Sequence, residues 1–395
     1  MQKDTIVCVD YATSYGFSVL LMDRLAEAFE KLGFRILRIN LLAPHHVSQI
    51  REAIRDRARV AFGLSCPFGF FDFDGKPFPE YLDAPMVVIL VDHPAFKLPW
   101  LPLNSPLAIV GCTDPSHVDF LWRHDAAAHP FHLPHFDVLP PKTTRDVEVD
   151  KQGIFFSGIL DVMGRSWAAD VASPASMESI RNLQIQVLDL VDILERAIWD
   201  ESAPLDVSLE AALSNQLGDW RKQLGFPEYL RILCECDVVV RAVRRRRAVF
   251  ELKNTDLRIM GHGWENFGVE NEGMRIYAPR PYLDCEKFRE TSLVSLDISH
   301  GQVFAGHDRI INAARLGQPV LALERPYFSG PNAPPHVLTC KFADLRSKAE
   351  ELLADHARIE ELGDRGKAHW ESGEWSPENA AQRILDAIGV AGFQA

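Results

Sequence analysis

The chain has 395 residues, 47% of them hydrophobic and 25% charged, with a net charge of −13. This composition gives enough apolar material for two domains with cores of their own and excludes a disordered chain. The acidic balance excludes a nucleic-acid-binding surface over the whole protein, so a nucleotide would be held by local cations and backbone donors.

Met1-Gln2-Lys3-Asp4 leads straight into a strand-like stretch without a signal-peptide pattern. The longest apolar runs, such as Met86 to Val91, have the length of strands, so no membrane span is expected. Of the seven cysteines, Cys234 and Cys236 are the only close pair, and no second pair accompanies them at zinc-site spacing. That usage predicts reduced, mostly buried thiols and a cytoplasmic location.

The first 140 residues alternate as a parallel sheet requires. Thr5 to Val9 reads as a buried strand, and a helix from Ser18 to Leu32 stops at Gly33. Phe34 to Ile39 is the next strand and Val47 to Arg57 a polar helix. Val60 to Leu64, Met86 to Val91 and Leu107 to Gly111 are short apolar strands. Pro115 to Trp122 opens a helix with Asp114 as its cap. Around Leu133 to Lys142 the pattern breaks at Pro134, Pro140 and Pro141, which reads as an interdomain linker.

A second series begins at Ile154 to Ser157. Residues 166–225 are helical in pattern and long for one crossover, so they read as a helical insertion, followed by a helix from Pro227 to Leu252. Strands Leu257 to Met260, Leu293 to Ile298 and Pro319 to Leu323, with a helix from His307 to Leu316, make a second parallel core. Three helices, Leu345 to Leu353, Arg358 to Trp370 and Pro377 to Ile388, close the chain. The expected division is residues 1–140, residues 141–376 with the insertion, and residues 377–395 as a helix returning to the first domain.

The most informative stretch is Ser295 to Glu324: a buried strand, a glycine-bearing loop, a helix start, a helix stopped by Gly317, and another buried strand. The loop carries His300, Gly301, Gly306, His307, Asp308 and Arg309. Backbone N–H groups at a helix start bind anions, and an arginine can pair with phosphate through two donors. Gly301 and Gly306 would let the backbone come close to a ligand. The same pattern also fits an ordinary βαβ unit with Asp308 as a cap and Arg309 in solvent.

This stretch resembles the donor-binding region of the CgeB-like glycosyltransferases, a branch of the GT-B enzymes. Gly306, His307, Asp308 and Arg309, then Asn312, Ala313 and Gly317, stand in that family's order, although Glu324 and Arg325 follow the strand where the family often has an Asp. Leu257 to Trp264, with Gly261, His262, Gly263 and Trp264, resembles a second family segment. Val87 to Pro94, with Asp92 and His93 at a strand end, resembles a third. The arginine run from Arg241 to Arg247 sits where the family has a helix of similar polarity, and by itself reads as a solvated face.

The resemblance implies an α/β, GT-B-like fold: two Rossmann-like domains facing each other across a cleft. It implies a nucleotide sugar as co-substrate, with no other cofactor, and an acceptor that is a protein, a glycan or a small molecule. Donor binding then falls to Gly261, His262, Gly263, Trp264, His300, Gly301, Gly306, His307, Asp308, Asn312 and Glu324. Catalysis falls to Arg309 and to Asp92 or His93 as the base. Asp92 also fits a turn residue before Pro94, and His93 a satisfied surface imidazole.

Sugar transfer builds negative charge on the departing phosphate, which a divalent metal or a helix start with cations can stabilise. Asp72-Phe73-Asp74 is the one Asp-x-Asp, and it lies in the first half, away from the donor-like motifs. A metal-free site is therefore expected. The loop from Pro67 to Pro79 is a candidate acceptor wall. Two alternatives keep the fold: a non-catalytic nucleotide-sugar or carbohydrate-binding protein, and a sugar-nucleotide epimerase. A phosphorylase lacks a convincing pyridoxal lysine. A Rossmann dehydrogenase lacks its glycine motif, since Asp10-Tyr11-Ala12-Thr13-Ser14-Tyr15-Gly16 follows the first strand.

Overall fold

In a computed structural model, the structure describes residues 4–10, 16–40, 46–55, 58–64, 72–73, 76–100, 105–141, 151–158, 160, 203–264 and 274–393. They fall into two compact units, Met1–Arg145 with Gly373–Ala395, and Asp146–Ser372.

The first unit holds strands β1 (Thr5–Asp10), β2 (Arg35–Asn40), β3 (Val60–Leu64), β6 (Met86–Leu90), β7 (Ala108–Cys112) and β8 (His129–His132) in the order β2-β1-β3-β6-β7-β8. Every pairing is parallel. β6 and β7 are buried along their whole length, which is why they read as unbroken apolar runs. Between β3 and β6 lie a two-residue hairpin, β4 (Asp72–Phe73) with β5 (Lys76–Pro77), and the short helix α3 (Phe78–Leu82).

Helix α1 (Phe17–Lys31) ends with Gly33 at φ +100, and Phe34 N–H returns to Phe29 O at 3.1 Å. Helix α2 is His46–Arg55. Helix α4 (Pro115–Arg123) starts as its sequence requires: Asp114 accepts Ser116 N–H at 2.8 Å and Pro115 stands at the first position.

The proline-rich break is not a solvated tether up to Leu139. Leu133, Phe136, Val138 and Leu139 are buried, and Asp137 N–H donates to Trp375 O at 2.8 Å. Its apolar residues outweigh its prolines.

The second unit carries β9 (Ile154–Ser157), β10 (Leu257–Met260), β11 (Met274–Tyr277), β12 (Val294–Asp297), β13 (Val320–Leu323) and β14 (Val337–Cys340) in the order β11-β10-β9-β12-β13-β14. Counted within the unit this is 3-2-1-4-5-6, again parallel throughout. The order reverses at β9, which pairs with β10 on one side and β12 on the other. In open parallel sheets a ligand crevice opens beyond the strand ends at such a reversal.

Of the expected helical insertion, residues 166–202 lie outside the described residues. The rest forms α5 (Leu205–Leu217) and α6 (Trp220–Leu224), and α7 (Phe226–Glu251) follows. The arginine run on α7 departs from the solvated face that its charge suggests. Arg244 is 2% exposed with its guanidinium 5.3 Å from the Phe342 ring centroid, and Arg245 is buried too. Their stems add to the packing, and a ring face offsets part of the charge.

The remaining helices are α8 (Tyr282–Glu290), α9 (Asp308–Arg315), α10 (Pro326–Ser329), α11 (Leu345–Ala354) and α12 (His356–Glu371). The last, α13 (Pro377–Val390), packs on α1 of the first unit, where Lys31 Nζ meets a Glu378 carboxylate oxygen at 2.5 Å.

Candidate functional site

The carboxyl ends of β9, β10, β12 and β13 lie on one edge of the second unit's sheet because all of its pairings are parallel. β12 ends in Asp297, a buried carboxylate closing a strand that is buried along its whole length. Ser299 donates to its Oδ1 through its hydroxyl, and through its backbone N–H at 3.2 Å. Arg325, two residues beyond β13, donates from Nη2 to Asp297 Oδ2 at 2.7 Å. Arg309, in the first turn of α9, donates from Nη1 to Ser299 Oγ at 3.1 Å and lies 3.5 Å from Asp297 Oδ1.

The Arg309 guanidinium also sits over Phe156 of β9, 5.7 Å from the ring centroid. It therefore spans the two strands that flank the order reversal. Burial by itself drives the Asp297 carboxyl upward. Arg325, and next Arg309, outweigh burial and hold it below the ordinary carboxylate range. Two guanidiniums face one carboxylate, so among the described residues one positive charge is left over at the sheet edge.

A second cluster supports α9 from below. Tyr282 donates to Asp308 Oδ2 at 2.6 Å and accepts from Asn312 Nδ2 at 2.7 Å. Burial, and then the Asp308 charge, raise the Tyr282 hydroxyl well above its ordinary value, so it stays a donor. Asp308 also contacts His307 Nδ1. Behind them, Arg289 is 1% exposed and binds Glu286 Oε2 at 2.8 Å, Ser295 Oγ at 2.9 Å and Ser157 Oγ at 3.3 Å. Burial raises the Glu286 carboxyl despite the pull of Arg289.

The structure gathers His300, Gly301, Asp308 and Arg309 around the end of β12. Arg309 is not solvated. It is 9% exposed, and its guanidinium is held among Ser299, Asp297 and Phe156. Gly301 has φ +82, and a Cβ there would meet Asp237 Oδ1 at 3.4 Å. Asp237 comes from α7 and lies 3.5 Å from His300 Nε2. At the other glycine the space is filled by this chain: a Cβ on Gly306 would meet the Tyr327 ring at 3.0 Å, so its role is room for that ring.

Trp264 is a core residue, fully buried, with Nε1 donating to Gly158 O at 2.7 Å and its ring edge-on to Phe156. Asn312 is 1% exposed and holds Tyr282, so it too serves the interior. Gly261 and Gly263 have φ +155 and +85 and make the turn that leaves β10, with His262 exposed. Glu324 is exposed, and its N–H pairs with Cys340 O at 3.0 Å. In the first unit Asp92 is exposed beyond β6. His93 accepts Ala95 N–H at Nδ1, 3.2 Å, and packs on His117 and Phe120.

Asp74 and most of the Pro67 to Pro79 loop lie outside the described residues. Among the described residues no group of three or more His, Cys, Asp and Glu side chains is placed to hold a metal ion. No helix among them is long and apolar enough to cross a membrane. Sequence reading missed Asp297, Arg325, Asp237 and Tyr282. A lone Asp closing a buried strand, and an Arg just past another, were the available signals.

Residues 228–386 match the Glycosyl transferase-like family. This glycosyl transferase-like stretch runs from α7 through α13 and so includes Asp237, Asp297, Arg309 and Arg325.

Among solved structures the chain is similar to an α-glucosyltransferase in complex with UDP and a 13-mer DNA containing an HMU base. That match has a TM-score of 0.52 and 10% identity, covering 98% of this chain and 100% of that one. It is also similar to HepE from Anabaena in complex with UDP-glucose, with a TM-score of 0.50 and 11% identity, covering 98% and 99%. At these identities the likeness concerns the fold: two parallel six-stranded sheets with flanking helices, the GT-B architecture. No curated protein matches the chain.

Proposed function

We propose that the protein is a metal-independent glycosyltransferase that moves a sugar from a nucleotide-sugar donor to an acceptor hydroxyl. The observation that carries this reading is the buried Arg309, held at the order reversal of a Rossmann-type sheet, inside the stretch that matches the glycosyl transferase-like family. An oxyanion beside it gains a charge-assisted hydrogen bond in a poorly hydrated place, where such bonds are strongest.

The chemistry assigned to Arg309 is stabilisation of the leaving phosphate, whose charge grows as the glycosidic bond breaks. Asp308 already places a carboxylate in the first turn of α9, so the helix start alone is a weaker anion site than its sequence suggests. The cations supply most of the attraction. Acceptor activation is assigned to Asp92 or His93 of the first unit.

UDP and UDP-glucose, bound in the two similar structures, make uridine nucleotides the first donors to test. The test is release of UDP from a panel of UDP-sugars, with and without chelator, against protein, glycan and small-molecule acceptors. Tight binding without release over any acceptor supports a binding protein of the same fold. Conversion of the free donor into its epimer supports an epimerase. UDP release that needs an added divalent ion overturns the metal-free mechanism.

A further inference from the structure

Arg325 stands outside the motifs that pointed to the site, yet it is the more completely buried of the two arginines, 4% exposed against 9% for Arg309. Only its Nη2 is engaged by hydrogen bonding, to Asp297 Oδ2. Nε and Nη1 are buried and meet no acceptor among the described residues. Phe328 lies over the guanidinium at 4.4 Å from its ring centroid. Stacking uses the face of the guanidinium and leaves its in-plane N–H bonds for oxygen acceptors.

Among the described residues the acids nearby do not fill this demand. Asp297 is shared with Arg309, Asp308 is held by Tyr282 and His307, and Glu324 is exposed. Unpaired buried donors and an uncompensated buried charge are both costly, and an arriving anion relieves both at once. We infer that Arg325 is a second anion-recognition residue of this site, taking one oxyanion of the ligand beside the group held by Arg309. This rests on the reading of the site as a nucleotide-sugar site. The oxyanion is a phosphoryl group of the diphosphate or a carboxylate on the sugar. Its donors are shielded from solvent, and Phe328, which lies over the guanidinium, belongs to the short helix α10.

The test is calorimetric titration of the full chain, as wild type, R325Q and R325K, with pyrophosphate, UMP, UDP, UDP-glucose and UDP-glucuronate. A phosphoryl source predicts that R325Q binds pyrophosphate and UDP at least tenfold more weakly and UMP unchanged. A carboxylate source predicts a tenfold loss confined to UDP-glucuronate. In R325K the ammonium that pairs with Asp297 cannot also serve the ligand as the fork does, so at least a threefold loss remains. Should R325Q fail to fold, R325K decides the matter alone.

Affinities within twofold of wild type for all five ligands overturn the inference. Wild type that binds pyrophosphate but no uridine nucleotide sinks the uridine-nucleotide reading, and Arg325 is then judged on pyrophosphate alone. Wild type that binds none of the five overturns both.

Discussion

A Cβ placed on Gly363 would lie 2.2 Å from the carbonyl oxygen of Gly317. Gly317, at φ +62, ends α9, and Gly363 lies inside α12, so the two helices meet backbone to backbone at the end of the helix that carries Arg309. One turn further on, Gly366 makes the same kind of room for the buried His336 ring, 2.7 Å from where a Cβ would stand.

The sign of Gly363→Ala is therefore predicted to be reversed. In an exposed helix interior the change stabilises by about 1 kcal/mol. Here the added methyl meets a backbone atom that cannot rotate away, and a net loss of about 1–3 kcal/mol is expected. Urea midpoints of the two proteins measure it. A higher midpoint for the alanine variant would show that the helices separate at no cost.

Arg309→Ala is expected to lower turnover by roughly a hundred- to a thousandfold, about 2.7–4 kcal/mol of transition-state stabilisation. Donor affinity should fall less, because the charge that Arg309 meets grows along the reaction. Arg309→Lys should recover part of the loss, and a chelator should leave wild-type turnover unchanged. Steady-state kinetics on the donor that releases UDP fastest decide this, and normal kcat/KM in the alanine variant would place the chemistry elsewhere.

Asp92 and His93 differ in what they already do. His93 has one ring nitrogen taken by the Ala95 amide and its ring packed on His117 and Phe120, whereas Asp92 is exposed. The expected outcome is that Asp92→Asn cuts turnover by roughly two to four powers of ten with donor affinity intact, and His93→Gln by less than tenfold. A large effect confined to His93→Gln reverses the assignment, and no effect from either variant removes both.

His336 predicts an acid-sensitive second unit. Burial, opposed by its bond to Ile310 O at 3.0 Å, lowers its pKa from 6.5 to about 4. The unfolded chain takes up this proton near pH 6.5 and the folded chain refuses it until about 4. The associated stability, on the order of 3 kcal/mol, is therefore complete above pH 6.5 and lost as pH falls through that window. Denaturation midpoints from pH 7.5 to 4 should fall in wild type and fall less in His336→Gln. Equal slopes would show that other groups govern the acid limb.

The fold was legible where burial writes itself into the residues. β6, β7 and β13 are unbroken apolar runs, and the ends of α1 and α4 carry their glycine and aspartate stops. β11 and β14 escaped notice because they are only partly buried and carry polar residues, and β8 because His129, Pro130 and His132 disguise a strand. At the site, Arg309 could be found from its frame of glycines and strands. Arg325 offered only its place just past a strand and Asp237 offered nothing, because each takes its role from a partner distant in sequence: Asp297 for the one, His300 for the other. A run of arginines reads as a wet surface until a ring such as Phe342 is brought beneath it.

The placement of α13 has a consequence for how the protein is made. The first unit is built from Met1–Arg145 and Gly373–Ala395, with the whole second unit encoded between them. Until the last helix emerges, the face of α1 that receives it stays bare. At about 5–20 residues per second, that wait lasts on the order of 20–70 s on the ribosome. The unit begun before the other is thus finished after it, and a nascent chain stalled before α13 is the form that holdase chaperones would be expected to capture.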